Sequence, residues 1–154
     1  MIEVMTDDTT NHIQIELHVP DFETVLEFYG KLGFKKVWHH SEKTNPHYLV
    51  MERQGTILNF WPGNDHVWEQ GYFKKFPKDS VRGYGVEIFL PVDDIKSYYN
   101  EVKQFANVVA EINLRPWGLR DFRIVDPFGY YLRVTDRHDI LDPNYAAIKS
   151  KELG

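Results

Sequence analysis

The chain has 154 residues, 42% hydrophobic and 27% charged, which fits one soluble domain or two small halves sharing one core. A formal net charge of −5 argues against general nucleic-acid binding, which needs a basic face, and it suits a cationic ligand. With no cysteine, disulfides, thiolate metal sites and cysteine nucleophiles are excluded. No stretch approaches the roughly 18 apolar residues of a membrane span, and MIEVMTDDTTNH lacks a basic region followed by an apolar one. A cytoplasmic protein with no membrane or nucleic-acid partner is expected.

QIELHVPD (14–21) alternates like a strand until Pro20-Asp21 stops it. Asp21 then caps a helix whose Phe22, Val25, Leu26, Tyr29 and Leu32 share one face, and Gly33 closes it. Strands are expected near 34–39, 47–53 and 56–61. A long connector, PGNDHVWEQGYFKKFPKDSVRG (62–83), follows. EIFLPVDD (87–94) then repeats the opening motif: Asp94 caps a second helix carrying Ile95, Tyr98, Tyr99, Val102 and Phe105. Measured from each Asp, both apolar sets fall at +1, +4, +5, +8 and +11, and the two Asp are 73 residues apart.

Strands near 107–112, 120–125 and 130–135 complete the second half. GTILNF (55–60) and GYYLRV (129–134) share a Gly, a Leu three later and a polar residue four later, at an offset of 74. Asp126-Pro127-Phe128-Gly129 has the chemistry of a tight turn. Several matches at nearly one offset indicate an internal duplication. The fold class is therefore α+β, with two tandem βαβββ modules at 12–62 and 83–136. The connector 63–82 joins them, a polar tail (137–154) with a short potential helix follows, and residues 1–154 form a single domain. INLRPWGLR (112–120) is expected as a second long loop.

This pattern resembles the vicinal oxygen chelate superfamily, which includes glyoxalase I, extradiol dioxygenases, fosfomycin-resistance enzymes and bleomycin-resistance proteins. The resemblance spans about residues 12–136 and is carried by LHVPD with LGF, by FLPVDD, and by PWGLRDFRIVDPFG. It implies sheets curved into half-barrels around a cavity, and in enzymatic members four metal ligands, two from each half. The matching positions are Gln14 and Glu87, seven residues before each capping Asp, and Asn59 and Arg133, four after each repeated Gly. Arg133 cannot be a ligand, because a guanidinium is always protonated and offers no lone pair. At about 4 Å it would repel a divalent cation by several kcal/mol, even at an effective dielectric near 20. Gln14 and Asn59 are weak neutral donors, and Glu87 is suited to pair with Arg133 instead. No cofactor is expected.

The PWG at 116–118, RDF at 120–122, DPFG at 126–129 and LNFWPG at 58–63 resemble bleomycin-resistance proteins in particular. That implies a homodimer whose crevices bind a bleomycin-like or other aromatic cation, with Trp117 at the position that stacks on the ligand. The expected ligand-binding residues are Trp117, Glu87, Arg133, Phe60, Phe89, Gln14 and Asn59, with no catalytic residue. Glu16 would add attraction for a cation. Plainer readings stand beside these. Glu87 and Arg133 would equally serve as a space-filling pair, Trp117 as a subunit contact, and the buried aromatics as core. The connector, with Trp68, Tyr72, Phe73 and Phe76 among Lys74, Lys75 and Lys78, is either pinned to its own domain or forms a flap or dimer seam. An enzymatic alternative is a metal-dependent lyase or dioxygenase with a displaced site built on His18, which alternates with Gln14 and Glu16, and Glu87. No GxSxG elbow and no i, i+4 histidine pair supports other hydrolytic chemistry.

Overall fold

A computed structural model describes residues 14–40, 48–62, 66–139 and 141–142. The first half runs β1 (Glu16–His18), α1 (Phe22–Lys31), β2 (Lys35–His40), β3 (Tyr48–Arg53) and β4 (Thr56–Trp61). The second runs β5 (Glu87–Val92), α3 (Ile95–Val102), β6 (Asn107–Leu114), β7 (Arg120–Val125) and β8 (Tyr131–Asp136). Between them the connector forms a short helix, α2 (His66–Glu69), and a 3₁₀ turn at Phe73–Lys75. Each half makes an open four-stranded sheet, ordered β1-β4-β3-β2 and β5-β8-β7-β6. In both sheets the first strand pairs in parallel with the last, and the other pairings are antiparallel. The duplication is thus a structural one, βαβββ twice.

Local chemistry sets the boundaries. Asp21 Oδ1 accepts from the Thr24 amide at 2.7 Å, and Asp94 Oδ1 from the Ser97 amide at 3.1 Å, so both caps satisfy a donor that the first turn leaves free. Gly33 leaves α1 at φ +95°, a conformation that disfavours a Cβ. Of the face expected on α1, Val25, Tyr29 and Leu32 are buried, but Leu26 is exposed and Phe28 takes its place. The reason is tertiary: Phe28 packs edge-on against Phe105 of the second half, ring centroids 5.8 Å apart. The expected loop 112–120 is shorter than its sequence implied, because β6 continues to Leu114 and only a tight turn at 115–119 remains. The potential helix in the tail falls largely outside the described residues.

One apolar cluster unites both helices and one face of each sheet. Three tyrosine hydroxyls tie the halves across it. Tyr98 donates to the Leu32 carbonyl at 2.7 Å, and Tyr130 to the His18 carbonyl at 2.7 Å. Tyr29, fully buried, donates to Asp126 Oδ2 at 2.8 Å. Asp126 Oδ1 meanwhile accepts the amides of Phe128 and Tyr130, so the expected turn is held by its own first residue. Burial pushes the Asp126 carboxyl above the usual carboxylate range, although the Tyr29 hydroxyl and the turn amides pull against that rise.

Candidate functional site

Strand alternation gives each sheet a second, outward face. On the core side lie Leu17, Leu49, Met51, Leu58 and Phe60 in the first half, and Leu90, Val92, Phe122, Ile124, Leu132 and Val134 in the second. The outward set is therefore Glu16, His18, Tyr48, Asn59 and Trp61 on one sheet, with Glu87, Phe89, Asp121, Arg123, Arg133 and Thr135 on the other. Phe60, expected at the site, is corrected here. It is fully buried and packs 5.0 Å from the Tyr29 ring, because its neighbour Asn59 takes the outward position. The other expected residues fall as follows. Asn59 Nδ2 donates to Gln14 Oε1 at 3.4 Å, and Phe89, Glu87 and Arg133 gather on the second sheet. Trp117 is half-buried in the turn 115–119.

The second sheet's face is a charge network. Asp121, fully buried, accepts Arg115 Nε at 2.7 Å and Arg123 Nη1 at 2.8 Å, both on Oδ1. Glu87 Oε1 accepts Arg123 Nε at 3.2 Å, whereas Arg133 Nε stands 3.9 Å from the same oxygen. The expected Glu87–Arg133 pairing is thus looser than the Glu87–Arg123 contact. Arg133 rests its guanidinium on the Phe89 ring, 3.6 Å from the centroid, its partner in the β5–β8 register. Arg123 and Asp121 were missed in the sequence. The alternation of RDFRIV beside β8 could have found them, since register places Arg123 opposite Arg133.

The first sheet's face is built differently. Glu16 accepts the Tyr48 hydroxyl at 2.8 Å on one oxygen and lies 3.3 Å from His18 Nε2 on the other. Burial, and then the Glu16 contact, push the Tyr48 phenol up to about 12, so it stays a donor at neutral pH. His18 meets Trp61 and Phe73 edge-on, at 4.8 and 5.7 Å. Phe73 thereby folds part of the connector over this face, and Val67 of the same connector is buried. Tyr72 and Phe76 stay exposed, flanking Lys75.

A divalent metal fits this arrangement poorly. The four positions equated with superfamily ligands hold two amides, one carboxylate already taken by Arg123, and a guanidinium. Among the described residues no three His, Asp or Glu side chains converge on one point. His18 is engaged with Glu16 on one sheet and Glu87 with Arg123 on the other, so the displaced pair His18–Glu87 has no shared centre in the described contacts.

Known proteins place this architecture. The chain resembles TioX from Micromonospora sp. ML1 at 17% identity and TM-score 0.62, over 82% of this chain and 98% of that one. It resembles a bleomycin-binding protein solved in complex with bleomycin at 20% identity and TM-score 0.55, over 83% and 99%. A glyoxalase-related enzyme from Fulvimarina pelagi is similar at 16% identity and TM-score 0.62, over 82% and 88%. Such likenesses establish the fold, which hosts both binders and enzymes. No curated protein is similar enough to count as a match. The family model matched by residues 9–134 takes in both modules and the connector, and with the doubled βαβββ topology it makes the chain a member of the Glyoxalase/Bleomycin resistance protein/Dioxygenase superfamily.

Proposed function

We propose that the chain is a metal-free, small-molecule-binding protein of the bleomycin-resistance type. It works in the cytoplasm as a homodimer and sequesters a flat, cationic, drug-like ligand stoichiometrically in the dimer crevice. The observation that carries this reading is Arg133 on Phe89, 3.6 Å from the ring centroid, where enzymes of the superfamily hold a metal. A fixed cation there replaces Lewis-acid chemistry with recognition.

The remaining geometry supports the same reading. Glu16, flanked by Tyr48 and by His18 with its two aromatic neighbours, offers a carboxylate in an aromatic setting, which attracts a cation by charge and by ring quadrupole. Ile57 is 43% exposed on the first sheet's outward face, apolar surface that a second copy would cover. Trp117 supplies a ring beside the second sheet for stacking, at about 1 kcal/mol beyond burial. The bleomycin-binding protein of similar fold was solved with bleomycin, which makes that drug the first ligand to try.

The test is thermal unfolding with metal-free bleomycin in excess. A ligand at about 100 times its dissociation constant stabilises the native state by roughly 2.7 kcal/mol, a shift of several degrees. No shift at saturating drug would discard a bleomycin-like ligand. Elemental analysis that finds near-stoichiometric iron, manganese, nickel or zinc would overturn the metal-free reading in favour of a lyase or dioxygenase.

A further inference from the structure

The outward face of the second sheet carries one guanidinium more than its own acids neutralise. Arg115, Arg123 and Arg133 share the face with Glu87 and Asp121, and both carboxylates are committed to Arg115 and Arg123. Arg133 is left over. Its Nε is buried without a hydrogen-bond partner, and the 3.9 Å to Glu87 lies outside hydrogen-bond range. A guanidinium with only 19% of its side chain exposed and an unmet donor is unfavourable in the empty protein and rewarded when an acceptor arrives.

The duplication sharpens the contrast. In the matched register of the first sheet, Asn59 stands for Arg133 and Glu16 for Phe89. An acid beside an amide in one half has become an aromatic ring beneath a cation in the other. The Phe89 ring centroid lies 3.6 Å from the guanidinium carbon, so the ring supports the cation, and the ring's own exposed area offers apolar surface next to it.

We propose that Arg133, seated on Phe89 and backed by Arg123, is an anion subsite that takes a carboxylate borne on an apolar or aromatic group. The guanidinium fork matches a carboxylate in two parallel hydrogen bonds. The subsite is built by one chain, so it stands whether or not the first sheet binds a cation or the chain dimerises. If both faces are used, the ligand is zwitterionic.

Benzoate is the probe, titrated into the ¹⁵N-labelled full chain while the Arg133 Nε–H resonance is followed by NMR. A saturable shift of that resonance is expected. Arg133→Gln should weaken benzoate at least about tenfold, some 1.4 kcal/mol, and Arg133→Lys, which keeps the charge and loses the fork, should fall between. Glu87→Gln removes the competing carboxylate and should tighten benzoate several-fold. The idea is overturned if wild-type protein shows no saturable shift, or if Arg133→Gln binds as well as wild type. It is equally overturned if Glu87→Gln leaves benzoate affinity unchanged or weakens it, since Arg133 would then be a structural partner of Glu87. None of these readouts depends on bleomycin, so this subsite and the drug-binding reading fail separately.

Discussion

The hydroxyl of Tyr29 is the most consequential single atom joining the two halves, and Tyr29→Phe removes it while leaving the ring in place. The ring is fully buried against Phe28, Phe34 and Phe60, so no cavity of significance is created. What is lost is the 2.8 Å bond to Asp126 Oδ2. Hydrogen bonds to charged groups contribute about 1.5–3 kcal/mol, and the carboxylate left behind is itself buried. For a chain of this size that corresponds to a fall of about 4–8 °C in Tm for a loss near 2 kcal/mol. The pH dependence follows from Asp126. Its carboxyl is raised in the folded state, chiefly by burial, so its ionisation disfavours folding, and stability falls as pH rises from the unfolded value through the folded one. Without the hydroxyl the folded value climbs further. The deficit of Tyr29→Phe should therefore be full at neutral pH and shrink as pH drops below the folded value. Urea unfolding of wild type, Tyr29→Phe, Asp126→Asn and the double variant at pH 7 and at about pH 3.5, below the ordinary carboxylate value, measures this. Tyr29→Phe within about 0.5 kcal/mol of wild type at pH 7, or a Tyr29→Phe deficit equal at both pH values, would refute the reasoning.

Gly83 sits at φ +70°, and a Cβ there would lie 2.5 Å from Tyr130 Cδ1. Gly83→Ala should cost about 2–4 kcal/mol through strain and the displaced ring, seen as a lower unfolding midpoint. Asp136 accepts the Arg120 amide at 2.8 Å and the guanidinium Nε and Nη2 of the same residue at 2.9 and 2.7 Å. Burial pushes its carboxyl up, but the Arg120 bonds outweigh that and hold it below the ordinary value. Its contribution is therefore present above the unfolded pKa of about 4 and lost as pH falls through the lower folded value. Asp136→Asn should lower stability at pH 7 by about 1 kcal/mol, discounted for partial exposure, and flatten the acid limb of the stability curve. Trp117→Ala should weaken a bleomycin-type ligand about tenfold by calorimetric titration with Tm unchanged; unaltered affinity would remove Trp117 from the site.

The fold was legible because its determinants are local and occur twice. Asp21 and Asp94 cap both helices, and the expected strand 56–61 coincides with β4 while 120–125 coincides with β7. Strand alternation sets Tyr131 and Arg133 opposite the buried Leu132 and Val134. The failures are mostly tertiary. The α1 face turned from Leu26 toward Phe28 because Phe105 arrives from 77 residues away. Phe60 was drawn into the site by its neighbour Asn59, although alternation sends the two to opposite faces. Glu87 was matched to Arg133 from superfamily positions, yet its hydrogen bond goes to Arg123, which sits on a third strand and is visible only once β7 is laid beside β8.

The two halves keep one backbone plan and have exchanged the chemistry of their outward faces. The register equates Val50 with Arg123 through their pairings to Asn59 and Arg133, and hence Tyr48, two residues before Val50, with Asp121, two before Arg123. On the first sheet those positions surround Glu16 with a phenol and aliphatic surface; on the second they surround Arg133 with ions. An acidic-aromatic face and a guanidinium-rich face match the unlike ends of the ligand proposed above. Under the proposed dimer, opposing unlike faces would also attract each other, so empty crevices would be poised to close on themselves. The ligand then has to compete with that attraction, and added salt, which screens it, should loosen the empty dimer more than the loaded one.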